Sequence, residues 1–234
     1  MRNSLRHYPK FLRPKSYVLQ IFLLFLLLTV LFPLYACQKE IDYFAYVAES
    51  RNNVFYAENN GFILRVYAVE KEYPYCADGI KRDTSARAEI RLFAPTGDKD
   101  CNVSFHVNGE EYGGDMSYDN VKAEYFFSCT LDISNLSQID CNVVYGEEEM
   151  QFCAQSVKTK NTLSPREILE QLRRAETELF SSLSDKYGFA GEIYIRLLYE
   201  DFPYYYVSVI DRNGNTNAFL MNGETGEILA KRQG

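Results

Sequence analysis

The chain has no tryptophan and only two histidines in 234 residues. One of them, His7, falls in a basic leader, so His106 is the single imidazole of everything that follows. Hydrolases of the Ser-His-Asp or Cys-His kind need a base beside the nucleophile. His106 stands instead on the polar side of an alternating strand, with Asn102, Ser104 and Asn108, as a solvated side chain would. G-x-S-x-G, H-E-x-x-H and P-loop spacings are missing too. No C-x-x-C occurs, which removes zinc ribbons and thioredoxin-type redox pairs. Basic residues are scarce beyond the leader. Of the 25 lysines and arginines, five lie in residues 1–36, a stretch without any acid. The other 198 residues carry 20 basic and 32 acidic groups, a net charge of −12. That field repels phosphate backbones, so nucleic acid is not an expected partner. With 47% apolar residues the chain can bury sizeable cores, and its length suits one large domain or two small ones.

What is present begins with an address. Arg2, Arg6, Lys10, Arg13 and Lys15 precede an apolar run from Val18 to Ala36, interrupted only by Gln20, Thr29 and Pro33. Charge followed by an apolar stretch is the order of an export signal. A run of about 20 residues also suffices to cross a bilayer, and the basic flank would stay in the cytoplasm. Residues 1–36 are therefore read as a signal peptide or a signal anchor. Both place the remainder on the extracytoplasmic face of the membrane. At the end of the run, Leu34-Tyr35-Ala36-Cys37 resembles the lipobox of bacterial lipoproteins, although Tyr35 is bulkier than that family's usual residue. The resemblance implies cleavage before Cys37, lipidation of its thiol, and residues 37–40 as a lipid-anchored N-terminus. An uncleaved single N-terminal span and plain secretion remain the alternatives.

Five further cysteines follow: Cys76, Cys101, Cys129, Cys141 and Cys153. Outside a membrane, paired cysteines are the expectation. The strands 139–145 and 149–157, joined through Gly146-Glu147-Glu148, would set Cys141 opposite Cys153 and allow a disulfide there. Two buried free thiols are the competing reading.

From 41 to 158 the chain reads as seven or eight short strands with turn signals such as Asn108-Gly109 and Pro95-Thr96-Gly97, the pattern of a two-sheet sandwich. Leu131-Asp132-Ile133-Ser134 followed by 139–145 resembles the late strands of an immunoglobulin-like domain. A polar joint, 158–164, comes next. Ser164, Pro165 and Glu167 then form a helix start with a capping box, and Ile168, Leu172, Ala175, Leu179 and Leu183 make one apolar stripe ending near Gly188. Strands at 192–199, 204–210, 217–221 and 227–231 complete the chain, with Asn213-Gly214 as a hairpin signal. The expected fold is thus mainly β with a C-terminal α+β unit: an immunoglobulin-like β-sandwich over 41–158, then one helix packed on a small antiparallel sheet over 164–234. The order of helix, strand, tyrosine-rich strand, Asn-Gly hairpin and Thr225-Gly226-Glu227-Ile228 resembles a PepSY-type domain, with Asn222 where the family often has aspartate. That resemblance implies an extracytoplasmic protein that binds or restrains a peptidase, with no catalytic residues to carry over.

Acidic clusters read as turns: Glu147, Glu148 and Glu149 in one hairpin, Glu110 and Glu111 in another. Asp211 to Asn217 offers alternating oxygens as calcium loops do, but its glycine is misplaced and Asn222 stands where the closing glutamate belongs. No metal and no cofactor are expected. Tyrosine is abundant, with 19 residues. Tyr204, Tyr205 and Tyr206 are consecutive, so alternation puts Tyr204 and Tyr206 on one face and Tyr205 on the other. Tyrosine is large, stiff and amphipathic, which suits contact surfaces. Tyr204 and Tyr206 are the candidate face for a protein or peptide partner. The expected function is a non-catalytic, membrane-anchored binding lipoprotein. A surface hydrolase using carboxylates unpaired in sequence, or a structural and adhesive spacer, are the alternatives.

Overall fold

The computed structural model describes Ile21 and residues 41–72, 83–95 and 99–234. Cys37, Cys76 and the run from Val18 to Ala36, apart from Ile21, lie outside these, as do Thr96 and Gly97. Among the described residues no helix is long and apolar enough to cross a membrane.

Asp42–Gly234 forms one compact unit. A 3-10 turn (Tyr43–Tyr46) leads into β1 (Val47–Asn59), β2 (Phe62–Glu72), β3 (Thr84–Phe93), β4 (Cys101–Val107) and β5 (Glu110–Asp115). Then come β6 (Ser117–Asp119), β7 (Glu124–Cys129), β8 (Gln138–Tyr145) and β9 (Glu148–Ser156). Helices α1 (Pro165–Ala175) and α2 (Thr177–Ser182) precede a small pair, β10 (Ser184–Asp185) and β11 (Gly188–Phe189). The last four strands are β12 (Gly191–Tyr199), β13 (Pro203–Asp211), β14 (Thr216–Asn222) and β15 (Ile228–Gln233).

Nine strands lie side by side in the order β15-β14-β13-β12-β1-β2-β3-β7-β6. A second row, β5-β4-β8-β9, joins them where Phe55 and Tyr56 of β1 pair with Ser156 and Gln155 of β9. β1 is therefore shared. Its first half, Val47 to Arg51, runs parallel to Ile193–Arg196 of β12, and its second half pairs with β9 of the second row. The expected joint at 158–164 is consequently no gap in the hydrogen-bonded sheet.

Two cores fill the same side of the nine-strand row. In the first, Leu64, Val66, Ile90 and Leu92 meet Val103, Phe105, Val143 and Phe152 of the second row. In the other, Ile193, Ile195 and Leu197 of β12 and Tyr205 of β13 lie buried with Ile168, Leu172 and Phe180 of the helices, and α1 packs on β12 and β1. The period-two pattern expected for 101–107 is present: Cys101, Val103, Phe105 and Val107 are buried while His106 is exposed. Asn108 and Gly109, both at positive φ, make the tight turn into β5.

Several expectations change. The first of the expected short strands is a 3-10 turn followed by one long strand, Val47–Asn59, bulged between Arg51 and Asn53. Glu110 and Glu111 begin β5, opposite Val107 and His106, rather than decorating a turn. The single helix expected to run to Gly188 breaks at Glu176, whose backbone leaves helical geometry. The break shifts the apolar phase, so Phe180 is buried while Ala175 is exposed and Leu179 half-exposed. The Cys141–Cys153 pairing is also corrected. The β8–β9 loop holds two residues, Gly146 and Glu147, with Gly146 at φ +61. One residue fewer in the loop slides the register by one, and that flips every side chain. Cys153 stands opposite Asp140, and Cys141 opposite Phe152. Cys141 is buried in the core, Cys153 is exposed, and both are free thiols. Burial pushes the Cys141 thiol up to about 12 and that of Cys101 to about 11, so both are unreactive packing groups.

Candidate functional site

With both cores on one side, no described element is layered over the opposite side of β1, β2, β12, β13 and β14. Alternation decides what stands there. On β13, Tyr205 points into the helix-covered core, where its hydroxyl donates to the Leu163 carbonyl at 2.7 Å. Tyr204 and Tyr206 point to the open side, as the sequence pattern requires, and both are half-buried. Tyr204 is in edge-to-face contact with Phe202, ring centroids 5.4 Å apart.

The surface is not flat. A hollow of about 720 Å³ is lined by Glu49, Lys71, Tyr194, Arg196, Tyr206 and Ile210, among others. Another, of about 500 Å³, is lined by Arg51, Tyr56, Tyr67, Leu198, Tyr204 and Leu220 among others. Tyr206 borders the first and Tyr204 the second. Between the strands that form both, Arg196 donates two hydrogen bonds to Glu49, Nε to Oε1 at 2.7 Å and Nη2 to Oε2 at 2.9 Å. Burial raises the Glu49 pKa, but the Arg196 bonds and the charges of Arg196, Arg51 and Lys71 outweigh it and hold the carboxyl below its ordinary range. This fork ties β1 to β12 across their parallel seam. Lys71 is paired with Glu89, and Glu124 takes Arg65 at 3.5 Å and Arg91 at 3.3 Å.

The sequence reading found Tyr204 and Tyr206 but missed Glu49, Arg51, Tyr56, Tyr67 and Arg196. These reach the same surface only because β12 docks beside β1, and nothing local announces that pairing. A signal was present in Ala48-Glu49-Ser50-Arg51, where Ala48 and Ser50 are buried and charges occupy the alternate positions.

Other candidates are placed elsewhere. His106 is exposed on β4 of the second row, and Glu147, Glu148 and Glu149 are exposed at the β8–β9 hairpin. The Asp211 carboxylate accepts bonds from the amides of Asn213 and Asn215 and from the Asn215 side chain, a turn complete in itself. Cys37 lies outside the described residues. No family model, curated protein or solved structure matches the chain.

Proposed function

We propose that this chain is a non-catalytic binding protein held by its N-terminus at the outer face of a cell membrane, and that the open side of its long sheet grips a protein or peptide. The observation that carries the reading is the meeting of Tyr56, Tyr67, Tyr194, Tyr204 and Tyr206 with Arg51 and Arg196 around two hollows on one side of the sheet, over which no described element is layered. Tyrosine and arginine are the residue types that dominate binding energy at protein interfaces. Hollows of this size accept side chains of an extended partner. We read the sandwich as immunoglobulin-like. The orders β2-β3-β7-β6 and β5-β4-β8-β9 support this, since they follow the strand arrangement of that fold, with β1 added in front. The helices with β12 to β15 are read as PepSY-like, which favours a peptidase as the partner restrained.

A photo-crosslinking amino acid at position 206, in the full chain in its native membrane, is expected to yield a discrete protein adduct. The same group at position 106, on the second row, is expected to yield none. Adding Tyr204→Ser to the position-206 variant should lower the adduct by about tenfold or more, as for loss of an interface hot spot, with circular dichroism unchanged. Equal adducts at both positions, or none at 206, would refute the reading. For the anchor, the expected intact mass of protein extracted from native membranes is that of residues 37–234 plus a diacylglyceryl group. A full-chain mass would replace the lipid with a membrane span.

A further inference from the structure

Among the described residues, Arg51 is the one cation lining the two hollows that makes no ion pair. Arg196 is held by Glu49, Lys71 by Glu89, and Arg65 and Arg91 share Glu124. Among the described residues no carboxylate lies within ion-pair distance of Arg51. Its guanidinium lies 4.0 Å from the centre of the Tyr67 ring. Nη1 donates one long bond, 3.4 Å, to the Leu197 carbonyl, and Nε is buried without an acceptor. The strand register also sets Arg51 beside Arg196, and like charges on neighbouring strands repel. Burial pulls the Arg51 pKa below the ordinary arginine range. A charge in this position is normally paired, because partial burial without a counter-ion is costly.

Arg51 lines the 500 Å³ hollow, whose other walls are largely apolar or aromatic: Val54, Tyr56, Leu198, Tyr204 and Leu220. Arg65, paired with Glu124, and the exposed Glu200 also line it. Glu49 and Glu89 reach Arg51 only through their charge, each being bonded to another cation. A cation without an ion pair of its own, between largely apolar walls, suits a single anionic group carried on an apolar segment. It does not suit a polyanion.

We propose that this hollow receives one aspartate or glutamate side chain of a partner's segment, its carboxylate on the Arg51 guanidinium and its flanking apolar residues against Tyr204 and Leu220. This deepens the binding reading above and rests on it. The pairing is a charge-assisted hydrogen bond, which supplies both attraction and orientation. Partners with asparagine or glutamine at that position leave Arg51 as it is now and bind less well.

The test uses the purified full chain in detergent and a panel of fluorescent, N-acetylated, C-amidated heptapeptides. Each carries Asp, Glu, Asn, Gln or Lys at the centre between varied apolar flanks, so the only anion is the central side chain. Anisotropy is expected to rank Asp and Glu peptides about ten- to hundredfold tighter than their amide counterparts. In R51Q the ratio should fall to within about twofold, while R51K should keep part of it. An undiminished ratio in R51Q overturns the assignment to Arg51. Equal binding of acid and amide peptides, still weakened by the Tyr204→Ser and Tyr206→Ser changes, overturns the proposal and leaves the binding surface standing. If no peptide of the panel binds at 1 mM, the proposal and the binding surface fall together. The acid-to-amide ratio of the unmutated protein needs no variant to fold.

Discussion

Phe180→Ala is expected to remove about 3–5 kcal/mol of stability, the range for deleting a large buried aromatic. Phe180 is 1% exposed. Its ring meets Tyr43 edge-on, centroids 5.0 Å apart, and stacks on Phe189 at 5.8 Å. These three rings come from the 3-10 turn, from α2 and from β11, so one side chain joins three separate segments. The neighbours are poorly placed to close the hole. The Tyr43 hydroxyl is bonded to Ser184 Oγ at 3.2 Å, and Phe189 is wedged against Tyr46 as well. Urea unfolding should show the loss as a lower midpoint with unchanged slope. Phe180→Leu should recover part of it. A loss under about 1 kcal/mol for the alanine variant would mean that this cluster does not fasten the turn, and that the cavity collapses instead.

Asn53→Ala should cost about 3 kcal/mol, although a single polar side chain is removed from a strand. Asn53 is 1% exposed and stands at the bulge of β1. Its Nδ2 donates to the carbonyls of Ser134 and Leu136 at 3.3 and 3.2 Å. Its Oδ1 accepts from the Val54 amide at 2.9 Å and from the Ser156 hydroxyl at 2.8 Å. One amide thus fastens the β7–β8 loop and the end of β9 to the strand shared by both cores. Alanine leaves those partners buried or half-buried without it, and each orphaned group carries its own desolvation penalty. Asn53→Asp should be at least as damaging at neutral pH, because it replaces the donor facing two carbonyls with another acceptor. Differential scanning calorimetry of the three proteins checks the order, and an alanine variant within about 0.5 kcal/mol of the parent would contradict it.

The two variants mark where sequence reasoning succeeded and where it could not. The capping box at Ser164 and Glu167 was legible because all its atoms lie within three residues: the Ser164 amide donates to Glu167 Oε2 at 2.8 Å, and the Glu167 amide to Ser164 Oγ at 3.3 Å. The faces of β4 and of Tyr204, Tyr205 and Tyr206 were legible for the same reason, since side-chain alternation is local. Phe180 escaped notice because the helix break at Glu176 has no proline or glycine to announce it. Its burial belongs to a phase that restarts after the break. Strand β5, with Gly113 and Gly114, has the composition of a turn and is held as a strand by β4. The β8–β9 register hinged on one loop residue, and that residue decided the fate of Cys153. Arg51 and Asn53 illustrate a different limit. Their partners, Leu197, Ser134 and Leu136, are 81 to 146 positions away, where periodicity has nothing to say.

The shared strand has a consequence for how the molecule comes into being. Val47 to Arg51 leave the ribosome early, yet their parallel partner in β12 arrives only after β2 to β9 and both helices. Closing so long a loop brings an entropic cost that no local contact offsets in advance. Until that moment one edge of β1 shows unpaired amides and carbonyls, the kind of edge that recruits strands from other chains. The seam carrying the Glu49–Arg196 fork is therefore a late event of maturation, and a chain stopped anywhere before residue 193 exposes an adhesive edge instead of a finished smaller protein.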